Sequence, residues 1–153
     1  MAGYYDSSLL LGAILGQVEP GACYEAWDVE TIRVSSVLAK IECTIGIRRL
    51  AASMGKRAGT SWVSSRLAAV DTYLDGLVIK PVDETIEQMV RQDKRLSACR
   101  ALDAVHLATA QYFQPHLPEP LHICSLDKRL REVAKALGFE VRPVVMPGET
   151  RAG

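Results

Sequence analysis

No apolar run in this sequence approaches the roughly 20 residues that a membrane-crossing helix needs, because Gly, Glu or Arg interrupts each of the longest ones. A spanning role is excluded. The opening residues Met1-Ala2-Gly3-Tyr4-Tyr5-Asp6 carry no Lys or Arg ahead of the first apolar stretch, so they do not read as a secretory signal and the expected location is cytoplasmic. Cysteine is sparse and scattered: Cys23, Cys43, Cys99 and Cys124 form no C-x-x-C pair, which argues against a structural zinc site or a redox motif and leaves them as small buried hydrophobes. Net charge is also missing. Eighteen basic residues cancel eighteen acidic ones, so only the distribution of charge can speak about a polyanionic partner. With two Trp and two Phe in the chain, base stacking finds little support, and Trp62 keeps step with a helical core stripe.

What is present is the composition of a soluble globular protein, 48% hydrophobic against 24% charged over 153 residues, enough for one buried core. There is no internal repeat and no low-complexity segment. One domain is expected over residues 1–145, with a short tail over 146–153 marked by Pro147 and Gly148.

The apolar pattern alternates between short runs and helical spacing. Strands are expected at Gly3 to Asp6, Thr31 to Ser35, Leu77 to Pro81, Leu121 to Cys124 and Phe139 to Val141. Helices are expected after a Ser7 or Ser8 cap, over Ala22 to Glu30, from a Ser35 or Ser36 cap to Met54 with Gly55 as the stop, and over Ser61 to Asp75 before Gly76. Three more are expected over Glu84 to Leu96 behind an Asp83 cap, over Ala98 to Phe113, and over Leu126 to Leu137 before Gly138. Such alternation predicts an α/β fold, a short parallel sheet of about four or five strands flanked by helices on both faces. Ligands of such sheets sit beyond the carboxyl ends of the strands.

Four acids map to that edge. Asp6 closes the first strand, a place where Asp also serves as a turn former or helix cap. Glu42 falls inside an apolar stripe of Leu38, Ile41 and Ile45, and its side chain leans toward the helix N-terminus, the end nearest Asp6; the alternative is a border residue that reaches solvent. Asp103 lies on a helix apolar on almost every side, where an unpaired carboxylate would cost several kcal/mol. His106, three residues on, is either its neighbour or a hydrogen-bonded core residue. Asp127 sits in the first turn of a helix after Ser125, which by itself is the pattern of a Ser cap followed by an acid that the helix dipole favours.

Together the four would repel one another unless a cation offset them, and an oxygen-rich set without Cys or His favours Mg²⁺ or Mn²⁺ over zinc, as one or two ions. That chemistry suits phosphodiester hydrolysis. Relief of the repulsion predicts that Asp6→Asn and Asp103→Asn are each no less stable than the parent without metal.

Tyr5-Asp6-Ser7-Ser8 resembles the opening acid-plus-hydroxyl motif of PIN domains, Ser36 to Glu42 their second acidic segment, and Leu102-Asp103-Ala104-Val105-His106-Leu107-Ala108-Thr109-Ala110 is the closest match. Cys124-Ser125-Leu126-Asp127 is similar to the closing hydroxyl-x-acid motif. The resemblance spans nearly the whole chain, and the length looks like that of VapC toxins of type II toxin–antitoxin modules. It implies a PIN-like fold, a metal-dependent endoribonuclease, a homodimer and a VapB-like antitoxin. By the same resemblance Asp6, Glu42, Asp103 and Asp127 are metal ligands or water-positioning acids, and Ser125 assists them. Two departures are Ser in place of the commoner Thr after Asp6 and before Asp127, and a long Pro-rich loop from Gln114 to Pro120.

RNA needs positive charge near the acids. Arg91, Lys94, Arg95 and Arg100 precede Asp103, Lys128, Arg129 and Arg131 follow Asp127, and Arg48 and Arg49 lie beyond Glu42; of these Arg95, Arg100, Lys128 and Arg129 are the candidate RNA contacts. Each group also reads as a solvated helix face. The competing functions are a PIN ribonuclease of RNA processing and a catalytically silent interaction or signalling module. A phosphoacceptor domain lacks support, since neither the first strand nor Leu77 to Pro81 supplies its acids.

Overall fold

The computed structural model describes residues 1–16, 23, 26–27, 31–146 and 148. The strands are β1 (Ala2–Tyr5), β2 (Ile32–Ser36), β3 (Val78–Lys80), β4 (Leu121–Cys124) and β5 (Glu140–Arg142). They form one sheet of order β3-β2-β1-β4-β5, every pair parallel. Six helices connect them among the described residues: α1 (Ser7–Leu15), α2 (Val37–Met54), α3 (Thr60–Asp75), α4 (Glu84–Gln92), α5 (Ala101–Phe113) and α6 (Lys128–Ala136).

Central strands of a parallel sheet are covered on both faces and so lose the apolar–polar alternation. β1 and β4 are accordingly buried at every position. Successive residues still point to opposite faces. Tyr4 and Ile123 enter one core with Leu107 of α5, Ile86 of α4 and Leu130 of α6, while Tyr5 and Cys124 enter the other with Leu9 of α1, Cys43 of α2 and Leu74 of α3. Each fully buried Leu or Ile contributes about 1.5–3 kcal/mol. Cys23, Cys43 and Cys124 are buried and Cys99 half-buried, all as free thiols.

Because β1 lies at the centre and the chain leaves it first toward β2 and later toward β4, the carboxyl end of β1 is the topological switch point, where sheets of this kind bind ligands. Asp6 follows it directly.

The boundaries differ from expectation where a polar side chain redirects the backbone. Asp6 lies one residue beyond β1 and caps α1, in place of the expected Ser7 or Ser8. The helix expected to reach Leu96 ends at Gln92, since Asp93 is extended and accepts from the Arg95 backbone N–H at 3.0 Å, nucleating a 3₁₀ turn over Lys94–Ala98. Extended Cys99 and Arg100 then delay α5 to Ala101. The Pro-rich loop contains a 3₁₀ turn at Gln114–His116.

The apolar stripe assigned to α2 is also corrected: the helix buries Ala39, Cys43 and Ile47, and Ile41 and Ile45 are 51% and 47% exposed. Close packing sets this face. A Cβ on Gly46 would stand 2.8 Å from Leu11 Cδ1 of α1, so the small side of α2 turns inward and Glu42 borders it. The helix expected over 22–30 lies outside the described residues except at Cys23, Ala26 and Trp27, and the tail is described only at Met146 and Gly148.

Candidate acidic site at the carboxyl edge

Asp6 is 4% exposed, and an ionised carboxylate there requires hydrogen-bond donors. It has three. The Leu9 N–H donates to Oδ1 at 3.2 Å, the Ser8 hydroxyl donates to the same oxygen at 2.7 Å, and the Ser125 hydroxyl donates to Oδ2 at 2.6 Å. The two serines also stitch β4 to α1, since Ser8 Oγ accepts the Leu126 N–H at 2.9 Å and the two hydroxyl oxygens lie 3.2 Å apart. Burial pushes the Asp6 carboxyl above its usual range, opposed by the charge of His106 and by these hydrogen bonds.

Asp127 sits just before α6 and caps it, accepting the Leu130 N–H at 3.0 Å, while its own N–H donates to Ser125 Oγ at 3.0 Å. Expectation placed it inside the first turn with a Ser cap. Ser125 instead holds the residue that caps, and holds Asp6 as well. Arg131 locks this loop from behind: it is 5% exposed and donates to the carbonyls of Ser125 at 3.0 Å and Pro143 at 2.8 Å.

Glu42 reaches from α2 to the Nε2 of His106, 2.5 Å from its Oε1. The other ring nitrogen, Nδ1, lies 2.7 Å from the Tyr4 hydroxyl. His106 therefore serves Glu42 by hydrogen bond, and faces Asp103 only through space. Asp103, half-buried in the first turn of α5, has no hydrogen bond or ion pair among the described residues. Desolvation raises its carboxyl pKa, the charge of Asp127 raises it further, His106 and Arg100 oppose, and Glu42 adds to the rise. The buried Cys43 thiol, pushed up to about 12 by desolvation, also senses Asp6 and Glu42. Asp6, Glu42, Asp103 and Asp127 thus share one electrostatic neighbourhood at the carboxyl edge.

Among the basic candidates, Arg100, Lys128 and Arg129 are exposed at the starts of α5 and α6. Arg95 is turned to Asp93, with guanidinium nitrogens 2.9 and 2.7 Å from its two oxygens. Arg91 pairs with Glu87, and Arg131 is part of the scaffold.

Three side chains of this neighbourhood were not singled out by sequence as site residues: Tyr4, Ser8 and His106. Ser8 had a signal in the doubled hydroxyl after Asp6, and His106 in being a polar group on a buried face. Tyr4 had none, since its strand position marks it only as core.

The donor set is all oxygen, which suits a hard divalent ion, and two of its acids are held toward neutrality by burial and, at Asp103, by like charge. The residues fit such an ion in chemistry. In the rotamers observed, no three His, Cys, Asp or Glu side chains among the described residues close on a single point; both oxygens of Asp6 and one of Glu42 are engaged by protein donors.

A parallel α/β domain with an acidic cluster at the switch point of its sheet defines the class of molecule. The chain belongs to the PIN domain family, whose model matches residues 4–136. It is 31% identical over 150 residues to Ribonuclease VapC35 of Mycobacterium tuberculosis, covering 97% of this chain and 98% of the relative, in each of two strains. Its fold matches a toxin–antitoxin complex from Klebsiella pneumoniae at TM-score 0.65 and 13% identity, covering 94% of this chain and 98% of the other. It also matches VapBC2 from Rickettsia felis bound to a DNA fragment from their promoter, at TM-score 0.64 and 11% identity, covering 93% and 98%. No helix among the described residues is long and apolar enough to cross a membrane.

Proposed function

We propose that this protein is an endoribonuclease dependent on Mg²⁺ or Mn²⁺ and the toxin of a toxin–antitoxin pair. The observation that carries the reading is the convergence of Asp6, Glu42, Asp103 and Asp127, from four separate segments, on one edge of the sheet, where burial and mutual repulsion hold Asp103 above its usual pKa. The similarity to a ribonuclease over nearly its full length supports the same chemistry.

In this reading the four acids hold one or two ions, which supply activation of water, orientation of the scissile phosphate and stabilisation of the leaving oxygen. Ser125 orients Asp6 through the 2.6 Å hydrogen bond and Asp127 through its backbone. Arg100, Lys128 and Arg129 flank the cluster and meet phosphates; Arg95 joins them only by leaving Asp93. The fold shared with solved toxin–antitoxin complexes supports a VapB-like antitoxin as partner, and the protein acts as a homodimer in the cytoplasm.

The test is RNA cleavage by purified protein in Mn²⁺, with RNA ends mapped after brief induction in cells. Asp6→Asn and Asp103→Asn are each expected to reduce cleavage to background while circular dichroism shows a folded protein. Activity retained in either removes that residue from the site. Growth arrest on expression, relieved by a co-expressed antitoxin, is expected of the toxin; active enzyme with neither property is instead a processing nuclease.

A further inference from the structure

We infer that His106 is a positioning residue for Glu42, the middle of a buried Tyr4–His106–Glu42 chain that fixes one carboxylate oxygen and leaves the other to face a divalent cation. The inference rests on the metal-site reading above.

The three residues come from β1, α5 and α2, so no local turn brings them together. Tyr4 is 0% exposed and His106 2%, whereas the Glu42 side chain is 27% exposed. The chain therefore runs from the core toward the surface and ends on an acid. Its end on the acid is fixed by chemistry: the Glu42 carboxylate oxygen can only accept, so the ring Nε2–H donates to it, while the Tyr4 hydroxyl partners Nδ1 as donor to a neutral ring or acceptor from a charged one.

A core with no task for position 106 would favour a Leu of similar size, because burying an imidazole costs desolvation that hydrogen bonds only offset. An unheld Glu side chain, by contrast, must lose rotamer entropy before it can hold anything. The buried ring accepts the first cost and removes much of the second. Hydrogen bonds to the unused side of a ligating carboxylate act in this way at metal sites.

The experiment titrates Mn²⁺ into RNA-free protein by calorimetry, so that no cleavage enters the readout. His106→Leu is expected to raise the Mn²⁺ Kd roughly tenfold, and His106→Gln to recover most of that loss, since its amide N–H stands in for the ring Nε2–H. In a Glu42→Gln background the same His106→Leu change is expected to alter Kd less than about twofold, the coupling that a double-mutant cycle isolates. Should His106→Leu fail to fold, Tyr4→Phe, which leaves the ring in place and frees Nδ1, carries the test with a Glu42-dependent loss of several-fold. Unchanged affinity in the histidine or tyrosine variant, an equal loss in both backgrounds, or a Gln variant no better than Leu overturns the positioning role. Wild-type protein that binds no Mn²⁺, or a Glu42→Gln variant that binds as well as wild type, instead overturns the metal site itself.

Discussion

Asp103 is the acid of this cluster with the least local support. Asp6 has three donors and Asp127 accepts the Leu130 N–H, but Asp103, which accepts no hydrogen bond among the described residues, meets desolvation and the charges of Asp127 and Glu42 with His106 and Arg100 opposing. Its folded-state pKa is raised above the unfolded value of about 4. The native state then binds more protons than the unfolded one, so stability falls as pH rises through the window between the two values and is recovered below about pH 4. Asp103→Asn is therefore expected to melt at a higher temperature than the parent at pH 7 in EDTA, with the gap closing as pH approaches 4. Thermal melts followed by circular dichroism at several pH values check this, and a variant less stable at pH 7 contradicts it. Asp6→Asn does not share the expectation. Its burial raises the pKa in the same sense, but an amide would set an N–H₂ against one of the hydroxyls that now donate to it, so the relief predicted for both residues applies cleanly only to Asp103.

At the scale of elements, Asp127 is both a cap and a member of the acidic set, and two substitutions separate the roles. Asn caps nearly as well as Asp, whereas Ala loses the bond to the Leu130 N–H and about 1 kcal/mol of stability. Urea unfolding is expected to show Asp127→Asn close to the parent and Asp127→Ala about 1 kcal/mol lower, with both deficient in RNA cleavage. An Asp127→Asn protein with full cleavage would reduce this residue to a cap. The double role also explains what the sequence could disclose. Strand–helix alternation was legible because apolar periodicity reports burial, and all five strands lie within two residues of their expected places. Gly55 and Gly76 stop helices as expected. The register of α2 was not legible, since its inner face is chosen by the approach of Leu11 to Gly46, a tertiary fact, and Ile41 and Ile45 face outward despite their hydrophobicity. Nor was the break at Asp93, where one side chain gathers Arg95 and Gln111 and so ends α4 early. Asp103 stands out in the sequence as a charge on an apolar helix, whereas the stripe that singles out Glu42 is not the buried face of α2, and Asp127 alone reads as a cap. Tyr4 was hidden by having the same hydrophobic signature as its neighbours.

For the whole molecule, the cluster makes stability depend on what binds it. Asp6 and Ser125 directly follow β1 and β4, Tyr4 lies in β1, and α2 with Glu42 leaves β2; these three strands form the centre of the sheet. A cation held at their carboxyl edge would bind the native state and not the unfolded chain, where the four segments are apart. Linkage then stabilises the fold by RT ln(1 + [L]/Kd), about 2.7 kcal/mol at a concentration one hundred times Kd. For a domain of this size that corresponds to a melting temperature higher by roughly 5–11 °C. Adding millimolar Mn²⁺ to EDTA-treated protein is expected to raise the midpoint progressively, saturating as the site fills, and Asp6→Asn is expected to lose most of that rise because it removes a charge at the centre of the set. Arg129→Ala, at the exposed start of α6, is expected to keep the rise while weakening RNA binding in a salt-dependent manner. A midpoint indifferent to Mn²⁺ in the parent, or a rise of the same size in the parent and in Asp6→Asn, would mean that the acids converge for reasons of folding alone.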